Sequence, residues 1–147
     1  MKNTMLEMTR YAALARQAVA EGVVLLKNEA VLPLAPGGRA ALFGYAQFHY
    51  YKSGTGSGGL VNVTHVPNLP EILGGDGGYR LDAEVQARYA AWLADHPYEM
   101  GTGWAQEPWF QPEMPLDEKF VRAAAQRADT AFIVIGRTAG EDQDNTN

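Results

Sequence analysis

The sequence predicts an α/β domain in which a mostly parallel sheet is flanked by helices. Short apolar segments alternate with amphipathic helical patterns along the 147 residues. The most apolar segment, residues 130–135, is nearly continuous in hydrophobic side chains, as expected when both faces of a parallel strand are covered. This segment stops at Gly136 and a polar loop follows at once, which is typical of a strand that ends at a ligand-facing edge.

Three segments have the periodicity of amphipathic helices. Residues 5–20 carry apolar side chains at steps of three and four, and residues 82–94 and 116–127 follow the same rule. Asp82 is a natural N-cap for the second helix, and Asp117 lies near the start of the third. The residues predicted to face inward are Val85, Tyr89, Trp92 and Leu93 in the second helix, and Phe120, Val121 and Ala124 in the third.

Apolar runs predict the extended segments. Residues 40–43 form a predicted strand that ends at Gly44, and residues 23–26 form a short buried strand or extended segment. Residues 61–64 have β-branched alternation and are expected to be extended. The segment 98–115 is rich in proline, glycine and large aromatic side chains, and we expect it to be an ordered loop.

Composition excludes several classes of function. The net charge is -5 and the basic residues are scattered singly, which argues against a nucleic-acid partner. The chain has no cysteine, so disulfides and thiolate chemistry are excluded. Its apolar runs are far shorter than the ~20 residues that span a bilayer, and no signal peptide is recognisable. We therefore expect a soluble cytoplasmic protein without membrane contact.

Residues 54–59 formally satisfy the G-x-G-x-x-G pattern of dinucleotide sites. Such a site needs a strand immediately before the glycines and a helix directly after them, and neither is clear here. A flexible turn is favoured, and a close approach of the backbone to a ligand or a neighbouring domain is a further alternative.

A second candidate is the acidic loop that contains Glu141, Asp142 and Asp144. Three acids after a buried strand suit divalent-cation binding, general acid/base chemistry or a simple solvated loop. The alternating ligands of an EF-hand loop are missing. The three histidines lie in unrelated segments without metal-ligand spacing: His49, His65 and His96. Four aromatic side chains either stack on sugar rings or pack within their own domain: Tyr50, Tyr51, Trp104 and Trp109.

Three segments together resemble the α/β sandwich domain of family 3 glycoside hydrolases. Residues 15–28, followed by Leu-Pro-Leu at 32–34, resemble the opening of that domain. Residues 53–58 are similar to its glycine loop, and residues 128–145 are similar to the strand and loop that present the family's acidic residue. The segments occur in the family's order and span nearly all of the chain.

The resemblance implies a retaining, β-glucosidase-like hydrolase in which this domain supplies the general acid/base, here Glu141. It also implies a β-linked oligosaccharide or glycoside as substrate, and a (β/α)8 barrel of the same enzyme as the partner that carries the nucleophile. No cofactor and no metal are implied. The site-loop or substrate-binding residues implied by the resemblance are Asp144, Arg137, Gly54, Thr55, Gly56 and Ser57.

By the same resemblance, residues 1–147 are a single, apparently truncated sandwich domain without the barrel. The fold is then an incomplete α/β sandwich from a member with reversed domain order, and the isolated chain is expected to be inactive. The family commonly has Asp-Arg at the end of the acidic loop, whereas this chain has Asp144 followed by Asn145. A non-catalytic carbohydrate-binding or interaction module of the same fold is the alternative.

Overall fold

A computed structural model gives the fold of the chain. It describes residues 7–50, 58, 63, 65–103 and 106–137. The chain divides into two compact units, Met1–Leu34 and Ala35–Asn147.

Among its described residues, the first unit contains one helix, α1, over Met8–Gly22. This confirms the predicted helix, which begins three residues and ends two residues later than expected. The apolar residues 23–26 that follow are exposed and belong to no strand, so the first of the two alternatives, a buried strand, was wrong. A strand needs a partner strand and a covered face, and the described residues of this unit supply neither.

The described part of the second unit is built on a parallel sheet of three strands, β1 (Arg39–Phe43), β2 (Arg80–Leu81) and β3 (Thr130–Ile133), in the order β2-β1-β3. β1 pairs with β3 from Ala40 opposite Thr130 to Phe43 opposite Ile133. Because β1 is central, it is buried on both faces, and this confirms the predicted parallel α/β class.

Helices occupy the connections between the strands. α2 (Leu69–Gly74) lies between β1 and β2, whereas α3 (Ala83–Asp95) and α4 (Glu118–Arg127) lie between β2 and β3. The predicted caps are confirmed, because the Asp82 side chain accepts a hydrogen bond from the amide of Val85 and that of Asp117 accepts one from Phe120. Each cap satisfies an amide that has no partner within the helix.

The hydrophobic core lies between β1 and the last two helices. Its buried members are Ala41, Phe43, Val85, Tyr89, Met114, Phe120 and Ala124. Four of the seven side chains predicted to face inward are therefore buried. Val121 is 39% exposed, so its predicted burial was wrong, whereas Trp92 is partly buried and packs against the core.

β3 is an edge strand of this sheet and departs from the sequence prediction. Its burial alternates along the strand, and the side chain of Ile133 is 74% exposed. The half-buried Phe132, on the opposite face of the strand, packs edge to face against Tyr79, with 5.8 Å between the ring centroids. The expectation that both faces are covered was wrong for the described residues, because no element among them covers the face that carries Ala131 and Ile133.

Three short elements escaped the sequence analysis: β2, α2 and a 3-10 turn over Tyr45–Gln47. Two-residue strands and single turns are too short to show a hydrophobic periodicity. Whether they form depends on tertiary contacts. Of the predicted extended residues 61–64, only Val63 is described, and it lies outside helices and strands.

Among the ion pairs that join elements of the second unit, two involve Arg39 and Arg127. Arg39 at the start of β1 binds Asp129 just before β3, and this guanidinium lowers the pKa of Asp129 to about 2. The Arg127 guanidinium donates to both oxygens of Asp82, at 2.6 and 3.1 Å, and lowers the pKa of that carboxyl. The second pair joins the end of α4 to the start of α3.

We predict that Asp82→Ala destabilises the second unit more than Asp117→Ala. Both aspartates cap a helix, a role worth about 1 kcal/mol. The Asp82 side chain is only 4% exposed, so its bond to Arg127 is less screened than the exposed pair of Asp117 with Arg88. We expect a loss of about 2–3 kcal/mol for Asp82→Ala and a smaller loss for Asp117→Ala. Urea unfolding followed by circular dichroism measures both, and equal losses would contradict the assignment.

Candidate functional site

The candidate site lies at the carboxyl ends of β1 and β3. The two strands are parallel neighbours, so the segments that follow them leave the sheet at the same edge. Ligands of open α/β sheets bind outside this edge. The segment after β1 runs through Gly44 and a 3-10 turn to Tyr50, and the segment after β3 runs through Val134 to Arg137.

The two segments touch directly beyond the last paired residues. The amide of Val134 donates to the carbonyl oxygen of Phe43 at 2.8 Å. Gly44 adopts a φ of 101°, and a Cβ built on it would lie 1.9 Å from the carbonyl oxygen of Val134. Both the conformation and the space therefore require glycine at this position.

Buried polar groups hold the backbone of Gly44. Its amide donates to the hydroxyl oxygen of Tyr89 at 2.6 Å, and its carbonyl accepts from the side-chain amide of Gln47 at 2.9 Å. The same Gln47 nitrogen also donates to the carbonyl of Leu42. Gln47 is 0% exposed, and its carbonyl oxygen accepts from Gln86 of α3. The turn after β1 is thus fixed from two sides.

An aromatic stack follows this turn. The three rings of His49, Tyr45 and Tyr98 lie close to one another: the centroid of His49 is 5.5 Å from that of Tyr45 and 4.7 Å from that of Tyr98, and the two tyrosine centroids are 6.4 Å apart. Burial lowers the pKa of His49 below its ordinary value of 6.5, so the ring is mainly neutral at pH 7. Burial, followed by the Glu107 carboxylate, raises the pKa of Tyr98.

The loop before α4 completes this edge. The carboxylate of Glu113 accepts a hydrogen bond from the amide of Tyr45 at 2.8 Å. The buried side-chain amide of Gln111 bonds to both backbone groups of Glu99, which confirms that the loop is ordered here. A small pocket at the edge is lined by Tyr45, Ala46, His49, Gln111, Glu113 and Gly136. Gly136, the first residue after the apolar segment 130–135, thus lies next to the aromatic stack.

Of the site residues expected from the sequence, the structure describes Arg137. It lies at the end of the segment that follows β3, and its side chain is exposed. The others lie outside the described residues: Gly54, Thr55, Gly56, Ser57, Glu141 and Asp144. Their assignments remain predictions.

Each histidine has an ordinary structural partner. His65 pairs with Glu71 at 2.9 Å, and the ring of His96 stacks on Trp92 with 3.5 Å between centroids. Among the described residues, no group of three or more histidine or acidic side chains is placed to hold a metal ion.

Of the aromatic side chains considered for sugar stacking, Tyr50 is 61% exposed, whereas Trp109 is partly buried. Within the same residues, no helix has the length and apolar character that crossing a membrane requires.

Sequence analysis missed the residues that hold this edge. It placed Tyr89 in the core and assigned no role to its hydroxyl, and it did not single out Gln47 or Glu113. The available signal was the position of Gln47, three residues beyond the glycine that ends β1. Polar side chains in such a turn often bond to the local backbone.

A helix-flanked parallel sheet with candidate site loops at its carboxyl edge defines an α/β domain of the sandwich type. The sequence model of one protein family, the glycosyl hydrolase family 3 C-terminal domain, matches residues 23–147 of the chain. The chain therefore belongs to this family, as the resemblance implied.

Curated relatives and solved structures agree with this family. A β-glucosidase of Ruminococcus albus is 48% identical over 96% of this chain, and β-glucosidase A of Butyrivibrio fibrisolvens is 39% identical over 92%. The structure of a β-glucosidase from Paenibacillus barengoltzii is 44% identical over 93% of the chain, with a TM-score of 0.83. β-Glucosidase 3B of Thermotoga neapolitana, solved with α-D-glucose, is 32% identical over 95%, with a TM-score of 0.77.

The chain spans only a small part of these proteins. It covers 15% of the R. albus protein and 16% of the B. fibrisolvens protein. It also covers 15% and 19% of the two solved chains. The activity of a complete enzyme is therefore a property of more residues than these 147.

We predict that Tyr98→Ala raises the pKa of His49 toward 6.5. Burial is the cause of the lowered pKa, and removing the ring stacked at 4.7 Å lets water stabilise the imidazolium. An NMR titration of the histidine Cε1 protons measures the midpoint, with His49→Gln identifying the resonance. Tyr50→Ala, which removes an exposed neighbouring ring, should leave the midpoint unchanged. An unchanged midpoint in Tyr98→Ala would refute this cause.

Proposed function

We propose that this chain supplies the acid/base loop of a retaining, β-glucosidase-like glycoside hydrolase, with Glu141 as the general acid/base. The observation that carries the proposal is family membership over residues 23–147. It is supported by the sequence position of the first acid, Glu141, four residues beyond the described Arg137, in the segment that follows β3.

The mechanism needs two carboxyl groups about 5–5.5 Å apart. One protonates the glycosidic oxygen as the bond to the leaving group breaks, while the other attacks the anomeric carbon and forms a covalent glycosyl-enzyme. The first group, now a carboxylate, then takes a proton from water as the water attacks the anomeric carbon and releases the sugar. We assign the first role to Glu141.

The position of Glu141 suits an acid that must hold a proton near neutral pH. A carboxyl group on a strand-end loop is exposed in an isolated domain, and it becomes desolvated when a second domain covers the edge. Desolvation disfavours the carboxylate and raises the pKa. We infer that the partner is a (β/α)8 barrel of the same enzyme, and that it carries the nucleophile.

The loop after β1 reaches the same edge, since β1 and β3 are parallel neighbours. We propose that its residues Gly54, Thr55, Gly56 and Ser57 lie beside a β-linked glycoside or oligosaccharide, with Arg137 and Asp144 on the opposing loop. No metal or cofactor takes part.

We predict that the purified 147-residue chain releases no nitrophenol from 4-nitrophenyl β-glucoside above the buffer rate. A retaining mechanism needs both carboxyl groups, and only the acid/base is assigned to this chain. Stopped-flow absorbance with a large molar excess of chain is the sensitive form of this assay. A burst of nitrophenol would contradict the division of the site between two domains.

In the complete enzyme, Glu141→Ala should slow hydrolysis of alkyl glycosides by about 10²–10⁴-fold. It should spare the first step on activated aryl glycosides, because a good leaving group departs without a proton. Azide should restore part of the lost rate by attacking the glycosyl-enzyme in the space left by the carboxylate, so that a β-glycosyl azide accumulates.

The matched controls are the acidic neighbours of Glu141 in the same loop. Neither Asp142→Ala nor Asp144→Ala should show azide rescue, because neither is proposed to transfer the proton. Rescue of Asp144→Ala without rescue of Glu141→Ala would move the assignment to Asp144. Absence of rescue in all three would place the acid elsewhere in the enzyme.

A further inference from the structure

We propose that the hydroxyl of Tyr89 is a positioning group. It holds the Gly44 turn in place beside Val134 and so sets where the acidic loop leaves the sheet. Tyr89 belongs to α3, and its hydroxyl bonds to the backbone amide of Gly44. Its catalytic consequence rests on the proposed function of Glu141. The mechanical part depends only on described residues.

Tyr89 is itself held rigidly. It is 1% exposed within the core, and its ring packs against Phe48 with 5.7 Å between centroids. Burial raises the pKa of Tyr89, so the hydroxyl stays protonated at pH 7. It therefore presents a neutral, fixed oxygen to the amide of Gly44.

The backbone of Gly44 has little freedom to move. Its amide is bound to Tyr89 and its carbonyl to Gln47, which is buried. On its other side lies Val134, close enough that no Cβ fits between the two backbones. The bond from the Val134 amide to the carbonyl of Phe43 joins the segments at the same point. Displacement of Gly44 is therefore transmitted to Val134.

The segment beyond Val134 is short. Gly136, two residues on, already lines the pocket with Tyr45 and Glu113, and Arg137 follows directly. A shift at Val134 thus changes the starting point of the loop that carries Glu141. An acid/base works only within hydrogen-bond reach of the leaving oxygen, so small displacements reduce its contribution.

The test compares two tyrosines that each lose one hydroxyl. Tyr89→Phe keeps the ring and removes the acceptor of the Gly44 amide. Tyr79→Phe is the matched control, because the Tyr79 hydroxyl donates to Ala35 before the amino end of β1. Both rings are buried in the same unit, so packing changes little in either variant.

Hydrogen exchange by NMR on the full 147-residue chain is the first readout. In Tyr89→Phe, the amides of Gly44 and Val134 should exchange at least about tenfold faster, while that of Leu42 within β1 stays protected. Tyr79→Phe should leave all three unchanged. Unchanged exchange at Val134 in Tyr89→Phe would overturn the proposal. Uniformly faster exchange throughout the sheet would overturn it too, because the hydroxyl would then stabilise the whole unit.

The second readout is kinetic and uses the complete enzyme. Tyr89→Phe should lower kcat on alkyl glycosides several-fold more than the first step on activated aryl glycosides, with KM nearly unchanged. Equal losses on both substrates would overturn the link to the acid. If Glu141→Ala shows no azide rescue but Val134 still exchanges faster in Tyr89→Phe, the proposed function fails and the positioning of Val134 stands.

Discussion

The structure depends on the parallel pairing of β1 with β3 and on its continuation into the contact between Gly44 and Val134. The ladder ends at Phe43 and Ile133, yet the amide of Val134 still bonds to the carbonyl of Phe43. Because Gly44 has no side chain, the two backbones stay together one residue beyond the strands. The candidate loops therefore leave the sheet from one place, which a shared active site requires.

The two ends of this strand pair are stabilised by different physical means. At the amino end, Arg39 and Asp129 form an exposed ion pair. Because water screens the two charges, the pair contributes only modestly to stability. At the carboxyl end, the polar groups of Gln47 and Tyr89 are buried, and each is bonded to the backbone of the turn. Buried hydrogen bonds fix geometry more tightly than exposed charges, because no water competes for the partners. The more rigid end is the one that carries the candidate site.

The proposed function divides the control of the acid between two domains. In that proposal this domain determines where the acidic loop begins, whereas a covering domain determines how strongly the acid is desolvated. The chain spans 15% of a related β-glucosidase of R. albus, so most of that protein lies outside the part that matches this chain. The outer face of β3, with Ile133 exposed, is likewise uncovered by any described element.

Local rules in the sequence determined the helices α3 and α4 with their aspartate caps, the central strand and the class of fold, because periodicity and capping depend on nearby residues. The same rules failed for residues 23–26 and for the outer face of β3, whose burial depends on neighbours that no local pattern encodes. Motif order identified the family, which the match over residues 23–147 confirms, whereas the role of Glu141 stays a prediction. Only the tertiary structure showed that the hydroxyl of Tyr89 binds Gly44, since the two residues are 45 positions apart and meet through the packing of α3 on β1.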